Sequence, residues 1–196
     1  MRLNHLSLTN FRNFVRLETE LAEGLTLVVG ANAQGKTSLL ESIYYLTGAR
    51  SPHAANDRQL INFLGLQEAS PFSRVMGEVS RGDRLHRIEI RILLEAAGPM
   101  GEKRTRKEIH INGLKRRVRD LAGGFNAVMF LPQDLRILEG SPGERRRYLD
   151  ATISQADPLY AESLAEYAKV LSQRNALLKQ LQEENGDEGQ LTFWDE

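Results

Sequence analysis

Apolar positions divide the chain into short extended runs followed by helical stretches. Leu3, Leu6 and Leu8 mark a first strand, with Asn10-Phe11-Arg12-Asn13-Phe14 after it, and the alternation of Leu17, Thr19 and Leu21 predicts a second. Ala22-Glu23-Gly24 turns the chain into Leu25-Thr26-Leu27-Val28-Val29, a run expected to be a buried strand. Beyond a glycine-containing loop, Leu39, Leu40, Ile43 and Leu46 recur at helical spacing, and Gly48 stands where a C-terminal cap is expected. Residues 49–73 are rich in Ser, Pro, Asn, Asp and Gly and read as an irregular excursion with a short helix around Arg58–Leu64. Arg74–Arg81, Arg84–Leu94 and Glu108–Ile111 read as strands. The first two join at Arg81-Gly82-Asp83, and the third continues through the hairpin signal Asn112-Gly113 into Leu114-Lys115-Arg116. Ala127–Leu131 predicts a further buried strand.

The remainder reads as helical. Ser141 and Glu144 have capping-box spacing with Pro142 at the first helical position, and Asp157-Pro158 ends that helix and caps the next. From Pro158 to about Glu184, Tyr160, Leu164, Tyr167, Leu171, Leu178 and Leu181 form a narrow seam suited to pairing with one other helix. That partner is expected after Asn185–Gly189, where only Leu191–Glu196 remain, so the chain reads as the first part of a longer protein.

The loop between the Leu25–Val29 run and the first helix carries the chemistry. Gly30-Ala31-Asn32-Ala33-Gln34-Gly35-Lys36-Thr37 has P-loop spacing between an expected strand and an expected helix. Gly30 and Gly35 let successive backbone N–H groups face one centre, and the helix N-terminus aims its positive dipole end there. Lys36 brings a full charge to the β- and γ-phosphates, and the Thr37 hydroxyl is a hard oxygen suited to Mg²⁺. The fold class expected is therefore α/β, a P-loop NTPase whose sheet is mixed because an antiparallel meander accompanies the P-loop core.

Composition adds mainly exclusions. The 196 residues are 41% hydrophobic and 27% charged, with zero net charge, so bulk charge does not argue for nucleic acid. The chain has no cysteine, which excludes disulfides and thiolate metal sites and suits a cytoplasmic location. No apolar stretch approaches a membrane span, and Met1–His5 lacks a signal peptide's apolar core. Locally the charge is uneven, with eight Lys/Arg and one acid between Lys103 and Arg119, and six acids and no base from Glu183 onward. The basic stretch reads either as a phosphate contact or as a solvated hairpin.

Four segments together resemble the RecF family of bacterial recombination mediators, ATP-binding-cassette-type heads related to SMC proteins. They are Leu8–Phe14; Gly30–Thr37 with Leu40–Leu46; Phe130-Leu131-Pro132-Gln133-Asp134-Leu135 with Gly140–Pro142 and Arg145–Asp150; and Gln173–Lys179 with Phe193-Trp194-Asp195-Glu196. The resemblance covers the whole chain but about the N-terminal half of such a protein. It implies an N-terminal lobe of the head over residues 1–156 and the start of a helical arm over 157–196. It also implies an ATP- and Mg²⁺-dependent DNA-binding protein of recombinational repair and replication, acting at gapped and single-strand–double-strand junctions with RecO and RecR partners. Two heads would pair as a homodimer on ATP. Lys36 and Thr37 would bind phosphates and Mg²⁺, with Gly30, Asn32, Gly35 and Ser38 lining the loop. Arg12 and Asn13 would touch the nucleotide. Gln133 would reach the metal or the attacking water, unless it is merely a solvated residue after a strand. Lys115, Arg116 and Arg117 would face DNA, and Arg145–Arg147 could equally be a salt-bridging helix face.

Other readings are a small-molecule P-loop kinase, another SMC-type head, a transporter's ATP-binding subunit, and a binding module with a degenerate loop. The first lacks an arginine-rich lid and an acceptor-site acid. The long polar arm weighs against the transporter subunit, and the intact Lys36-Thr37 pair against a degenerate loop. No signature motif and no apolar run ending in paired acids follow the P-loop, and His5, His53, His86 and His110 show no catalytic spacing. Weak ATPase activity is therefore expected of a full-length protein, and ATP binding without efficient hydrolysis of this chain.

Overall fold

The computed structural model describes residues 1–96, 103–132, 134 and 140–184. Two compact units divide the chain, Met1–Glu139 and Gly140–Glu196. In the first, β1 (Arg2–Phe11), β2 (Phe14–Glu20), β3 (Phe72–Arg81), β4 (Arg84–Ala96), β5 (Lys103–Ile111) and β6 (Leu114–Arg116) form one antiparallel sheet in the order β2-β1-β3-β4-β5-β6. The two-residue period sorts its faces. Leu6, Leu8, Val75, Val79, Ile88, Ile90, Ile92 and Ile109 are buried, and Ile90 lies in register with both Val75 and Ile109. The hairpin at Asn112-Gly113 has positive φ at both residues, 53° and 80°, the geometry that matches the twist of two strands.

Helix α1 (Lys36–Gly48) covers the apolar face with Tyr45 and Leu46, both fully buried. Gly77 of β3 permits the approach, since a Cβ there would lie 2.5 Å from Leu46 Cδ1. The helix runs one residue past the expected cap, and Ala49, not Gly48, takes the left-handed conformation (φ 53°), its N–H bonded to Tyr45 O at 2.8 Å. Lys107 donates to Ala49 O at 2.6 Å, pairs with Asp57 at 3.0 Å and lies 5.7 Å from the Tyr45 ring centroid. One member of the basic stretch thus caps a helix from inside the fold. Burial, reinforced by the Asp57 carboxylate, pushes the Tyr45 phenol far above its ordinary range.

The opposite face is polar. Glu89 is nearly buried there and accepts from Arg74 at 2.9 Å and Arg91 at 2.7 Å, while Arg74 also donates to Ser7. Burial alone would raise the Glu89 carboxyl, but the two guanidinium groups outweigh it and hold the group below the usual carboxylate range.

Several expectations are corrected. Leu25–Val29 forms no strand, and Leu25, Leu27 and Val29 are 94%, 81% and 78% exposed. Ala127–Leu131 likewise forms no strand, and Val128 and Phe130 are exposed. A strand apolar on both faces needs hydrogen-bonded neighbours and covering layers, and among the described residues neither run has a strand beside it. The described sheet is accordingly antiparallel throughout. The short helix expected at Arg58–Leu64 is instead two single turns, Asp57–Leu60 and Gly65–Gln67.

The second unit contains α2 (Pro142–Ala156) and α3 (Pro158–Glu184). The capping box is made, with Ser141 N donating to Glu144 at 2.7 Å, a bond that holds the Glu144 carboxyl below its usual range. Asp157 caps α3 by accepting from Leu159 N at 2.9 Å. The partner of α3 among the described residues is α2, which precedes it, and Tyr160 Oη donates to Asp150 at 2.6 Å between them. The boundary between the compact units falls at 139/140, with α2 and α3 both in the second. The helix expected beyond Gly189 and the Phe193–Glu196 segment lie outside the described residues.

Candidate nucleotide-binding site

The P-loop enters α1 through Gly35, whose φ of 99° is open to glycine and costly for any other residue. A Cβ at Gly35 would meet Asn13 Nδ2 at 2.5 Å and Phe14 Cζ at 2.8 Å. The β1–β2 turn thus sits directly on the loop, and glycine is needed for space as well as for conformation. Lys36 folds over the loop and donates to Gly30 O and Ala31 O, each at 2.7 Å. An ammonium held by two carbonyls of its own loop is positioned over the loop's centre and can exchange these bonds for phosphate oxygens. No acidic residue occupies the first turn of α1, so the positive end of the helix stays uncompensated toward an anion.

Arg12, Asn13, Asn32, Gly35, Lys36, Thr37 and Ser38 line one cavity of about 600 Å³, so the β1–β2 turn and the P-loop share it. Gly30 stands beside it as an acceptor for Lys36. Thr37 is exposed and supplies one hard oxygen. Among the described residues no cluster of His, Asp or Glu could hold a metal by itself, so Mg²⁺ would depend on phosphate oxygens and water for its other ligands. Gln133 lies outside the described residues.

Arg12 lines the cavity, and each of its three guanidinium nitrogens makes a bond within the protein. Nε and Nη2 donate to the two oxygens of Glu41 at 2.8 and 2.6 Å, and Nη1 donates to Gln59 O at 3.0 Å. Glu41 is 2% exposed and also accepts from Ser51. The pair is a charged strut between the β1–β2 turn, α1 and the Gln59 segment. Glu41 was not singled out from the sequence, because one acid between Leu40 and Ser42 looks like a solvent-facing helix position.

Gln59, Ile61, Asn62 and Phe63 complete the wall and were also missed. They lie in the irregular excursion, where no periodicity marks a function. Their one local signal is Asn62 between Ile61 and Phe63, a polar residue inside the short apolar run Leu60–Leu66.

The basic residues of the β5–β6 hairpin are not in this cavity. Lys115 pairs with Glu108 at 3.1 Å, and Arg106 bonds both Glu95 and Glu108, whereas Arg116 and Arg117 are exposed. The four histidines are strand or loop residues, with His5 paired to Glu18 at 3.2 Å.

Comparison with known proteins gives a consistent result. The family model described as "AAA domain" matches residues 5–192. The DNA replication and repair protein RecF of Roseiflexus castenholzii is 41% identical over the whole chain, which covers 52% of that protein. Its counterpart in Lacticaseibacillus casei is 42% identical over 92% of this chain and 45% of its own length. The structure of the recombination mediator protein RecF-ATP in the RecFOR pathway superimposes with a TM-score of 0.83 at 36% identity, over 98% of this chain and 48% of that one. The chain spans about half the length of the curated relatives it matches, and the match is to their N-terminal half.

Proposed function

This chain belongs to the AAA domain family, and we propose that it is the ATP-binding N-terminal part of a RecF-type protein of DNA replication and repair. The observation that carries the reading is the meeting of Asn13, Asn32, Lys36, Thr37 and Ser38 around one cavity at the start of a helix. The RecF likeness supplies the setting. In this reading Lys36 and the loop N–H groups hold the β- and γ-phosphates, Thr37 ligates Mg²⁺, and Asn13 and Asn32 border the triphosphate. Arg12 acts from its place beside Asn13, and Gln133 is the candidate for the metal or the attacking water. Bound Mg²⁺ neutralises the charge of the phosphate chain.

The wider role is proposed on the same basis. It comprises recognition of single-strand–double-strand junctions in recombinational repair and the SOS response, cooperation with RecO- and RecR-like mediators, and pairing of SMC-like heads on ATP in the cytoplasm. Lys115, Arg116 and Arg117 would add DNA-phosphate contacts. None of the described helices is long and apolar enough to cross a membrane.

Calorimetry of MgATP with this chain tests the core of the reading. The expected result is weak saturable binding that Lys36→Ala reduces at least about tenfold, the order of one charge-assisted contact, without appreciable turnover. Equal binding by the variant would overturn the assignment of the site. Turnover lost in the variant would overturn the expectation that hydrolysis needs groups this chain lacks.

A further inference from the structure

We propose that the segment from Gln59 to Phe63 is the base-recognition wall of this site, with Phe63 the surface on which the nucleotide's purine stacks. The inference rests on the ATP reading above. The P-loop side of the cavity offers backbone N–H groups, an ammonium and hydroxyls, which suit phosphates and leave a flat aromatic base without a partner. The same cavity is also lined by Gln59, Ile61, Asn62 and Phe63.

Phe63 is 72% exposed, and a large aromatic held in water beside a phosphate site has the chemistry of a stacking platform. The wall is also rigid. Ile61 bridges to Phe11, Arg12 N donates to Leu60 O and Asn62 N to Asn10 O, both at 2.8 Å, and Arg12 Nη1 holds Gln59 O. Asn62 uses its remaining polar groups on the same task. Nδ2 donates to Arg12 O at 2.5 Å, Oδ1 accepts from Leu64 N at 2.9 Å, and its carbonyl accepts from Leu66 N at 3.0 Å. Phe63 therefore follows a residue fixed at every polar atom. Asn62 keeps one amide N–H beyond these bonds, so the surface the wall offers a base is chiefly the Phe63 ring, and stacking tolerates ATP and GTP alike.

Arg12 has a defined part in this arrangement. Its bonds to Glu41 and Gln59 join the wall to α1, the helix whose N-terminus faces the phosphates. It is a positioning residue for the base side of the cavity.

Titration calorimetry of the whole 196-residue chain with Mg²⁺ and ATP, GTP or inorganic tripolyphosphate tests the proposal. Wild type is expected to bind both nucleotides more tightly than tripolyphosphate. Phe63→Ala should weaken ATP and GTP by about tenfold, the order of one lost stacking contact, and leave tripolyphosphate unchanged. Phe63→Trp should restore nucleotide affinity. Since Phe63 is exposed, the alanine variant keeps the fold, which its unchanged tripolyphosphate affinity also reports. Equal loss for all three ligands, or no loss for ATP, overturns the base wall. If wild type binds tripolyphosphate as tightly as ATP, the phosphate site stands and the wall falls. If it binds none of them, the nucleotide reading itself fails.

Discussion

At the residue scale, Arg12 carries two demands. It sits in the β1–β2 turn at φ 52°, and its fork closes on Glu41, a carboxylate almost wholly out of water. Removing one member of such a pair leaves the other charge buried and uncompensated. Arg12→Ala is therefore expected to lower the stability of the nucleotide-free chain by about 3–5 kcal/mol, read as a fall in denaturation midpoint. Arg12→Lys should recover only part of this, because an ammonium cannot reproduce the two-pronged geometry. An unchanged midpoint without nucleotide would mean that Arg12 serves the ligand alone. The sequence singles out Arg12 through the Asn10–Phe14 segment but does not reveal its partner. Glu41 is 29 positions away, and only the packing of α1 under the sheet shows that it is buried.

At the element scale, the antiparallel hairpins were legible because their determinants are local. Asn112-Gly113 and Arg81-Gly82-Asp83 supply the turn geometry, and the two-residue period fixes which side chains face α1. The charge on the outer face is harder to read, since Arg74, Glu89 and Arg91 come from two strands and acquire meaning only in register. The Glu89 carboxyl is held below its ordinary range in the fold, so it contributes stability above the range where an unfolded glutamate titrates. That contribution is lost as pH falls through the folded value. Denaturant melts of wild type and Glu89→Gln from neutral to acid pH should show the variant weaker at neutral pH and the difference shrinking as the medium is acidified. A difference independent of pH would rule out the charge as its cause.

At the scale of the whole molecule, the first unit leaves two apolar runs in water. Leu25, Leu27 and Val29 lead into the P-loop, and Val128 and Phe130 stand in Ala127–Leu131. Soluble chains seldom leave so many large apolar side chains exposed without a surface to cover them. This chain is expected to bind the dye ANS strongly and to self-associate as concentration rises. Leu27→Asp with Val128→Asp should reduce both effects while moving the thermal midpoint by no more than about a degree, since neither side chain belongs to the core. A large loss of midpoint would show that these residues are packed in solution.

Sequence by itself determined what depends on neighbours along the chain. It determined the glycine positions and lysine of the P-loop, the hairpin turns, the Ser141–Glu144 cap, the Asp157 cap and the apolar alternation of the strands. These need only φ/ψ preferences, short hydrogen bonds and a period of two or 3.6. Tertiary structure alone decided whether an apolar run becomes a strand, because a strand exists only through the backbone groups of another. It also decided that Glu41 is buried, that Lys107 turns inward to cap α1, and that Gln59, Ile61, Asn62 and Phe63 line the same cavity as the P-loop. Each of these follows from contacts between residues far apart in the chain, whose meeting is set by how α1 packs on the sheet.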